Sequence, residues 1–249
     1  MNSMRTSLLL AVSFALSPAL AGPGERRLSI ETEKLPMSTS AATHLSLKQQ
    51  ALLPIAALAA MGDLPRLAPA LERGLDAGLS ISDIREVLVQ LYAYAGFPRS
   101  LNALSEFMKV LDVRKNRGID DVVGQAPSQP IPSGDALLQA GAANQTQLSG
   151  APVKGPLFEF APAIDEYLKT HLFGDIFARD NLDWQSRELA TVSMLAAITG
   201  TDAQLLAHLR ISRNVGLTSE QLHQVAEVLG QQVDAQAGQR VRKALINPS

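Results

Sequence analysis

Two residues in the C-terminal half combine the types and the surroundings that proton chemistry needs. Glu188 lies in RELATVSMLAA, an otherwise apolar, small-residue run, and His208 lies among Leu205, Leu206 and Leu209. A carboxylate in such a run is either buried with a partner or turned to the polar stripe beside Ser186 and Arg187, because unpartnered burial is expensive. Histidine moves protons near neutral pH. A carboxylate that holds one ring nitrogen fixes the tautomer and frees the other nitrogen for a substrate. Gln204 and Ser212 stand one turn from His208 on the same helix face. Spacing alone does not deliver the pair. In two antiparallel helices turning about Gly200, the residues are offset by about four positions, or ~6 Å at 1.5 Å per residue. Taken singly, each reads equally well as a solvated glutamate and a partly buried structural histidine.

A second group, Tyr92, Tyr94, Phe97, Arg99 and Asn102, forms YAYAGFPRSLN at a helix junction. A helix opened by Pro98 leaves backbone N–H groups free for an anion, and Arg99 can clamp a substrate carboxylate. Arg99, Tyr92 and Asn102, with Ser212, are therefore the substrate-binding candidates. The plainer alternative makes the aromatics core and Arg99 a surface charge. The other histidines, His44, His171 and His223, form no spacing set with acids, so no metal site is expected. No phosphate-cradling or nucleophile-elbow motif is present. The chain has no cysteine, so it carries neither disulfides nor thiol redox chemistry.

The elements that position these residues are written twice. Leu45–Gly78 and Leu182–Gly216 align, with Leu58-Ala59-Ala60 answering Leu195-Ala196-Ala197, and one extra residue near Gly200 in the second copy. Glu188 and His208 answer Ala51 and Ala70, which predicts one working site and one supporting half. Apolar spacing predicts helices over 47–61, 64–77, about 80–95 and about 99–114. It predicts a further helix from Phe158 through Leu172, then helices holding Glu188, His208 and Thr218–Leu229. Ser80 with Asp83 and Thr218 with Gln221 have capping-box spacing; Asn181 or Asp183, and Thr201 or Asp202, can cap the two between. Pro54 should kink the first helix. No strand signal competes, so the fold is expected to be all-α.

The divisions follow. Residues 1–21 read as a signal peptide cut after Ala21, which makes the protein periplasmic or secreted. Residues 22–44 read as a loose tail, 45–116 as the first repeat, 117–155 as a Gly/Pro/Ser/Gln-rich linker with a short helix around 135–143, and 156–249 as the second repeat. No later run is long and apolar enough to span a bilayer, so no membrane partner is expected after cleavage. A net charge of −2 with no basic patch argues against nucleic acid.

Across nearly the whole chain after residue 21 the sequence resembles the carboxymuconolactone decarboxylase family, whose fold is shared with the alkyl hydroperoxide reductase D proteins. The segments that carry the likeness are LVQLYAYAGFPRSLNAL, FAPAIDEYLKTHLFGDIFARDNLDWQSRELATVSMLAA and AHLRISRNVGLTSEQL. The resemblance implies a helical bundle in which the tandem repeats form a pseudo-dimer, and a homo-oligomer, either a dimer or a trimer of tandem chains. It implies that Glu188 and His208 match the glutamate and histidine of a proton relay, whose cysteine positions fall near Thr201 and Gln204. The decarboxylase branch implies no cofactor. The expectation is a cofactor-independent lyase or proton-transfer enzyme acting on a small carboxylate or lactone. The alternatives are a non-catalytic helical binding or assembly scaffold, and an antioxidant protein that would have to work without the CxxC pair.

Overall fold

A computed structural model describes residues 43–246. The first repeat comprises α1 (Leu47–Met61), α2 (Leu64–Asp76), α3 (Ile81–Gln90), the single turn α4 (Tyr92–Ala95) and α5 (Phe97–Asn116). Next come α6 (Asp135–Ser149), α7 (Pro156–Phe160), α8 (Pro162–Tyr167) and a π-helical segment, Leu168–Ile176. The second repeat comprises α9 (Trp184–Ala197), α10 (Asp202–Asn214), α11 (Ser219–Gln232) and α12 (Ala235–Ile246). There is no strand among the described residues, and the fold is all-α as expected. The signal-peptide reading of residues 1–21, and nearly all of the 22–44 tail, lie outside the described residues.

Local chemistry punctuates both repeats alike. Gly62 and Gly200 end the first helix or its loop at φ 76° and 80°, and Gly78 and Gly216 do so after the second at 94° and 97°. A side chain at these angles is strained, which is why glycine recurs there. Both expected capping boxes form, at Ser80–Asp83 on α3 and at Thr218–Gln221 on α11. Pro98 falls in the first turn of α5. Pro54 leaves α1 unbroken from Leu47 to Met61.

The two first helices, α1 and α9, pack along each other at the centre. Each is buried almost all round, α1 over Leu52–Ala60 and α9 over Ser186–Ala196. Alanine-rich, all-round apolar helices demand such a place, and small side chains let the two approach. Their leucines join α2, α5, α11 and α12 in one core shared by both repeats. Truncating a leucine such as Leu53 or Leu189 to alanine should cost about 2–5 kcal/mol.

The stretch between the repeats is more structured than its composition predicts. The helix expected near 135–143 runs from Asp135 to Ser149 and packs against the π-helical segment. Gly141 permits this: a Cβ there would lie 1.7 Å from the Lys169 carbonyl oxygen. Leu148, Leu172, Phe173, Ile176, Phe177 and Ile211 make a second apolar cluster around the contact. Upstream, Ile81 and Ser82 donate their backbone N–H groups to Val122 and Val123 at 2.9 Å. Arg114 holds Asp121 at 2.8 Å and Asp76 at 2.9 Å. Glycine, serine and proline read as linker because they lack apolar bulk, but here glycine lets backbones touch.

Candidate functional site

Asp183 caps α9, accepting from the Ser186 backbone N–H and hydroxyl, each at 2.8 Å. That start places Glu188 in the second turn, facing α10. Thr201 precedes α10, its hydroxyl turned back to the Leu195 and Ile198 carbonyls. Packed together, α9 and α10 bring Glu188 Oε2 to 2.9 Å from His208 Nδ1. The Glu188 side chain is 0% exposed and that of His208 10%. The axial offset foreseen from spacing is thus taken up by the packing of the two helices. With Nδ1 committed to the carboxylate, Nε2 is the nitrogen left for other chemistry.

Two polar atoms in this neighbourhood lack a partner among the described residues, Glu188 Oε1 and Ser212 Oγ. Buried unsatisfied oxygens are uncommon and mark places that need explaining. Ser212 is fully buried one turn beyond His208. Its counterpart in the first repeat, Gly74, has no room even for a Cβ, which would meet the Ile55 side chain at 2.6 Å.

The first repeat contributes to the same region. The Tyr94 ring stands edge-on to His208, with centroids 5.7 Å apart. Tyr94 is partly exposed as a residue, yet its hydroxyl points inward and meets the Thr191 hydroxyl at 3.2 Å. Burial, and next the nearby Glu188 charge, push its phenol well above the usual range, so it stays protonated. Gln90 donates to the Thr191 hydroxyl at 2.8 Å and to the Arg187 carbonyl at 3.0 Å. Arg187 reaches Glu86 at 3.1 Å, and Arg179 grips Glu86 with two bonds of 2.7 and 2.8 Å. Burial alone would raise the Glu86 carboxyl, but the bonds from Arg179 and Arg187, with the Asn181 amide adding to them, outweigh it and hold it at about 2. A polar chain therefore crosses the repeat interface, from Glu86 through Arg187, Gln90 and Thr191 to the Tyr94 hydroxyl, and the Tyr94 ring, not a hydrogen bond, meets the histidine.

The other candidates stand outside these contacts. Arg99 is exposed and donates to the Ala60 carbonyl, near the C-terminal end of α1. Free carbonyls at a helix end attract such a cation. Tyr92 is half-buried and stacks on Phe97 at 4.6 Å, inclined by 13°; burial, then the Asp175 charge, raises its phenol. Asn102 is exposed on α5. Glu86 and Gln90, four residues apart on α3 and in step with Tyr94, escaped the sequence reading, which named Tyr94 only as part of the group around Arg99. That spacing within an apolar stripe was the signal for them.

None of five clefts, of about 230 to 560 Å³, is lined by Glu188 or His208. One of them is the counterpart of their site in the first repeat. It has a volume of about 230 Å³ and is lined by Leu47, Gln50, Ala51, Pro54, Ala70 and Arg73, among others. In repeat register these match Trp184, Arg187, Glu188, Thr191, His208 and Ile211. In the second repeat the same place is covered by residues 168–179. Phe173 and Phe177 pack with Ile211, Tyr94 and Trp184, and the Arg179 carbonyl accepts from Arg187 at 2.9 Å. The first copy is thus open and stripped of ionisable groups at Ala51 and Ala70. The second is closed and carries both.

Fold and site together define a tandem, all-helical protein in which one of two repeats holds a buried acid–histidine pair. The model of the carboxymuconolactone decarboxylase family matches residues 33–107 and 162–246, and the chain belongs to that family. The two matched stretches correspond to the two repeats. No curated protein matches the chain significantly.

Proposed function

We propose that Glu188 and His208 are the acid–base pair of a cofactor-independent lyase or proton-transfer enzyme acting on a small carboxylate or lactone. The observation that carries this reading is the 2.9 Å contact between Glu188 Oε2 and His208 Nδ1 at full burial of the carboxylate. Glu188 holds Nδ1–H and stabilises the imidazolium; Nε2 exchanges the proton with substrate. In a decarboxylation the C–C bond to the carboxylate breaks and CO₂ leaves. The electron pair left behind spreads into the adjoining lactone or carbonyl, and His208 Nε2–H protonates the carbon. Ser212 Oγ and Glu188 Oε1 supply unpaired polar atoms beside the reacting group. A thiol peroxidase route has no residues to run on, since the chain has no cysteine.

A non-catalytic binding or assembly scaffold is the second reading, and the absence of Glu188 and His208 from the five clefts favours it. Turnover of carboxymuconolactone and related lactone carboxylates, followed by CO₂ release, separates the two. The lyase reading expects activity that Glu188→Gln and His208→Asn each lower by about 10²-fold or more. Inert wild-type protein on this panel would leave the scaffold reading.

The same proposal includes export and self-association. Export rests on the leader-like residues 1–21, and mature protein beginning at Gly22 is its test. Self-association rests on the apolar stripe that α5 exposes, with Phe97 62%, Leu101 58% and Met108 66% accessible.

A further inference from the structure

A cleft of about 360 Å³ opens between α6, the loop before α7, and α8, away from the Glu188–His208 pair. Most of its lining falls between the two family-matched stretches, in 108–161. Gln145 borders it, is only 3% exposed, and its side chain makes no hydrogen bond to another of the described residues. Asp165 also borders it. Its Oδ2 accepts from Lys169, while its buried Oδ1 has no donor among the described residues. A carboxylate oxygen buried without a donor is unusual in a folded chain, and the Gln145 amide stands on the same cleft without a partner among the described residues. They become intelligible where a ligand brings the missing donors and acceptors.

The charges specify the ligand. Lys169 and Lys154 supply two cations and Asp165 and Glu159 two anions, so the lining is neutral overall. A phosphate or a dicarboxylate would meet two acids, and a diamine two lysines. A molecule with one ammonium and one carboxylate meets both kinds of group. Phe158 and Val153 add an apolar wall. We infer that this cleft binds a small zwitterion of the α-amino acid class with an apolar side chain. The ammonium donates to the Asp165 and Glu159 carboxylates, the carboxylate accepts from the lysines and the Gln145 amide, and the side chain lies against Phe158. Charge-assisted hydrogen bonds of this kind are the strong ones.

Calorimetric titration of the full chain with L-leucine tests this, beside 4-methylpentanoate, which lacks the ammonium, and 3-methylbutylamine, which lacks the carboxylate. Saturable leucine binding is expected, at least about tenfold tighter than either analogue, the loss of one charged contact being worth at least that factor. Asp165→Asn should weaken leucine about tenfold or more. So should Lys154→Gln, an exposed rim residue whose replacement leaves folding intact should Asp165→Asn fail to fold. Glu188→Gln should bind leucine as the wild type does. Absence of saturation by leucine, equal affinity for the singly charged analogues, or unchanged binding in Lys154→Gln overturns the proposal.

Discussion

Glu86 of the first repeat and Arg187 of the second meet at 3.1 Å with both side chains removed from water, at 1% and 0% exposure. Arg179 closes on the same carboxylate from the π-helical side. Burial lowers Arg187 from its ordinary range, and the Glu86 bond pulls it back. Such a cluster adds little net stability over an apolar core, but losing one member leaves uncompensated charge. Glu86→Gln should therefore destabilise the chain by about 3 kcal/mol, measured by urea unfolding. Glu86 is held at about 2 against an ordinary 4.5. Its contribution is fully present above pH 4.5 and is lost as pH falls from there toward 2. The acid limb of wild-type stability should flatten over that window in Glu86→Gln.

Coupling of the acid–histidine pair is directly measurable. Glu188→Gln replaces the carboxylate that stands 2.9 Å from His208 Nδ1, so the His208 ring nitrogen resonances should move in the variant. Unchanged resonances would remove the relay from consideration and leave a structural histidine.

Tyr94 separates ring from hydroxyl. Tyr94→Phe keeps the edge-on contact with His208 and loses the meeting with Thr191, so about 1 kcal/mol of stability should go. Turnover should change less than tenfold. Tyr94→Ala removes the ring as well and should lower turnover further, as His208 loses the ring it packs against. Equal turnover in both variants would show that the ring does nothing for the histidine.

Gly141 tests whether the inter-repeat stretch is part of the fold. Gly141→Ala puts a Cβ into the Lys169 carbonyl, at a cost of about 1–3 kcal/mol from overpacking. Amide exchange should accelerate in α6 and the π-helical segment, and less in α1. Uniform protection would mean that this contact contributes nothing.

The exposed stripe of α5 tests self-association. Leu101→Glu with Met108→Glu replaces two accessible apolar residues, and light scattering should report a smaller mass than for the wild type. Identical masses would remove this face as the contact.

Much of this protein is legible without coordinates because it is set locally. Serine, threonine and aspartate at helix starts, glycine at their ends and three-to-four-residue apolar spacing decide where helices begin and stop. Ser80, Thr218, Gly78 and Gly216 act within a turn of themselves. The duplication is legible too, as is the substitution of Glu188 and His208 for Ala51 and Ala70. What only the tertiary structure decides is which faces meet. The Glu188–His208 contact depends on how α9 and α10 pack, which neither helix encodes alone. Arg99 looks like a substrate clamp until α1 ends beside it and offers a free carbonyl. Tyr94 becomes a neighbour of His208 only when the two repeats share one core. Within the stretch 117–155, read as linker for want of bulky residues, Asp135–Ser149 packs against the π-helical segment because glycine at 141 lets two backbones touch. Each is a relation between residues far apart in the chain, set by packing angle, register and close approach, and these are fixed only when the whole core forms.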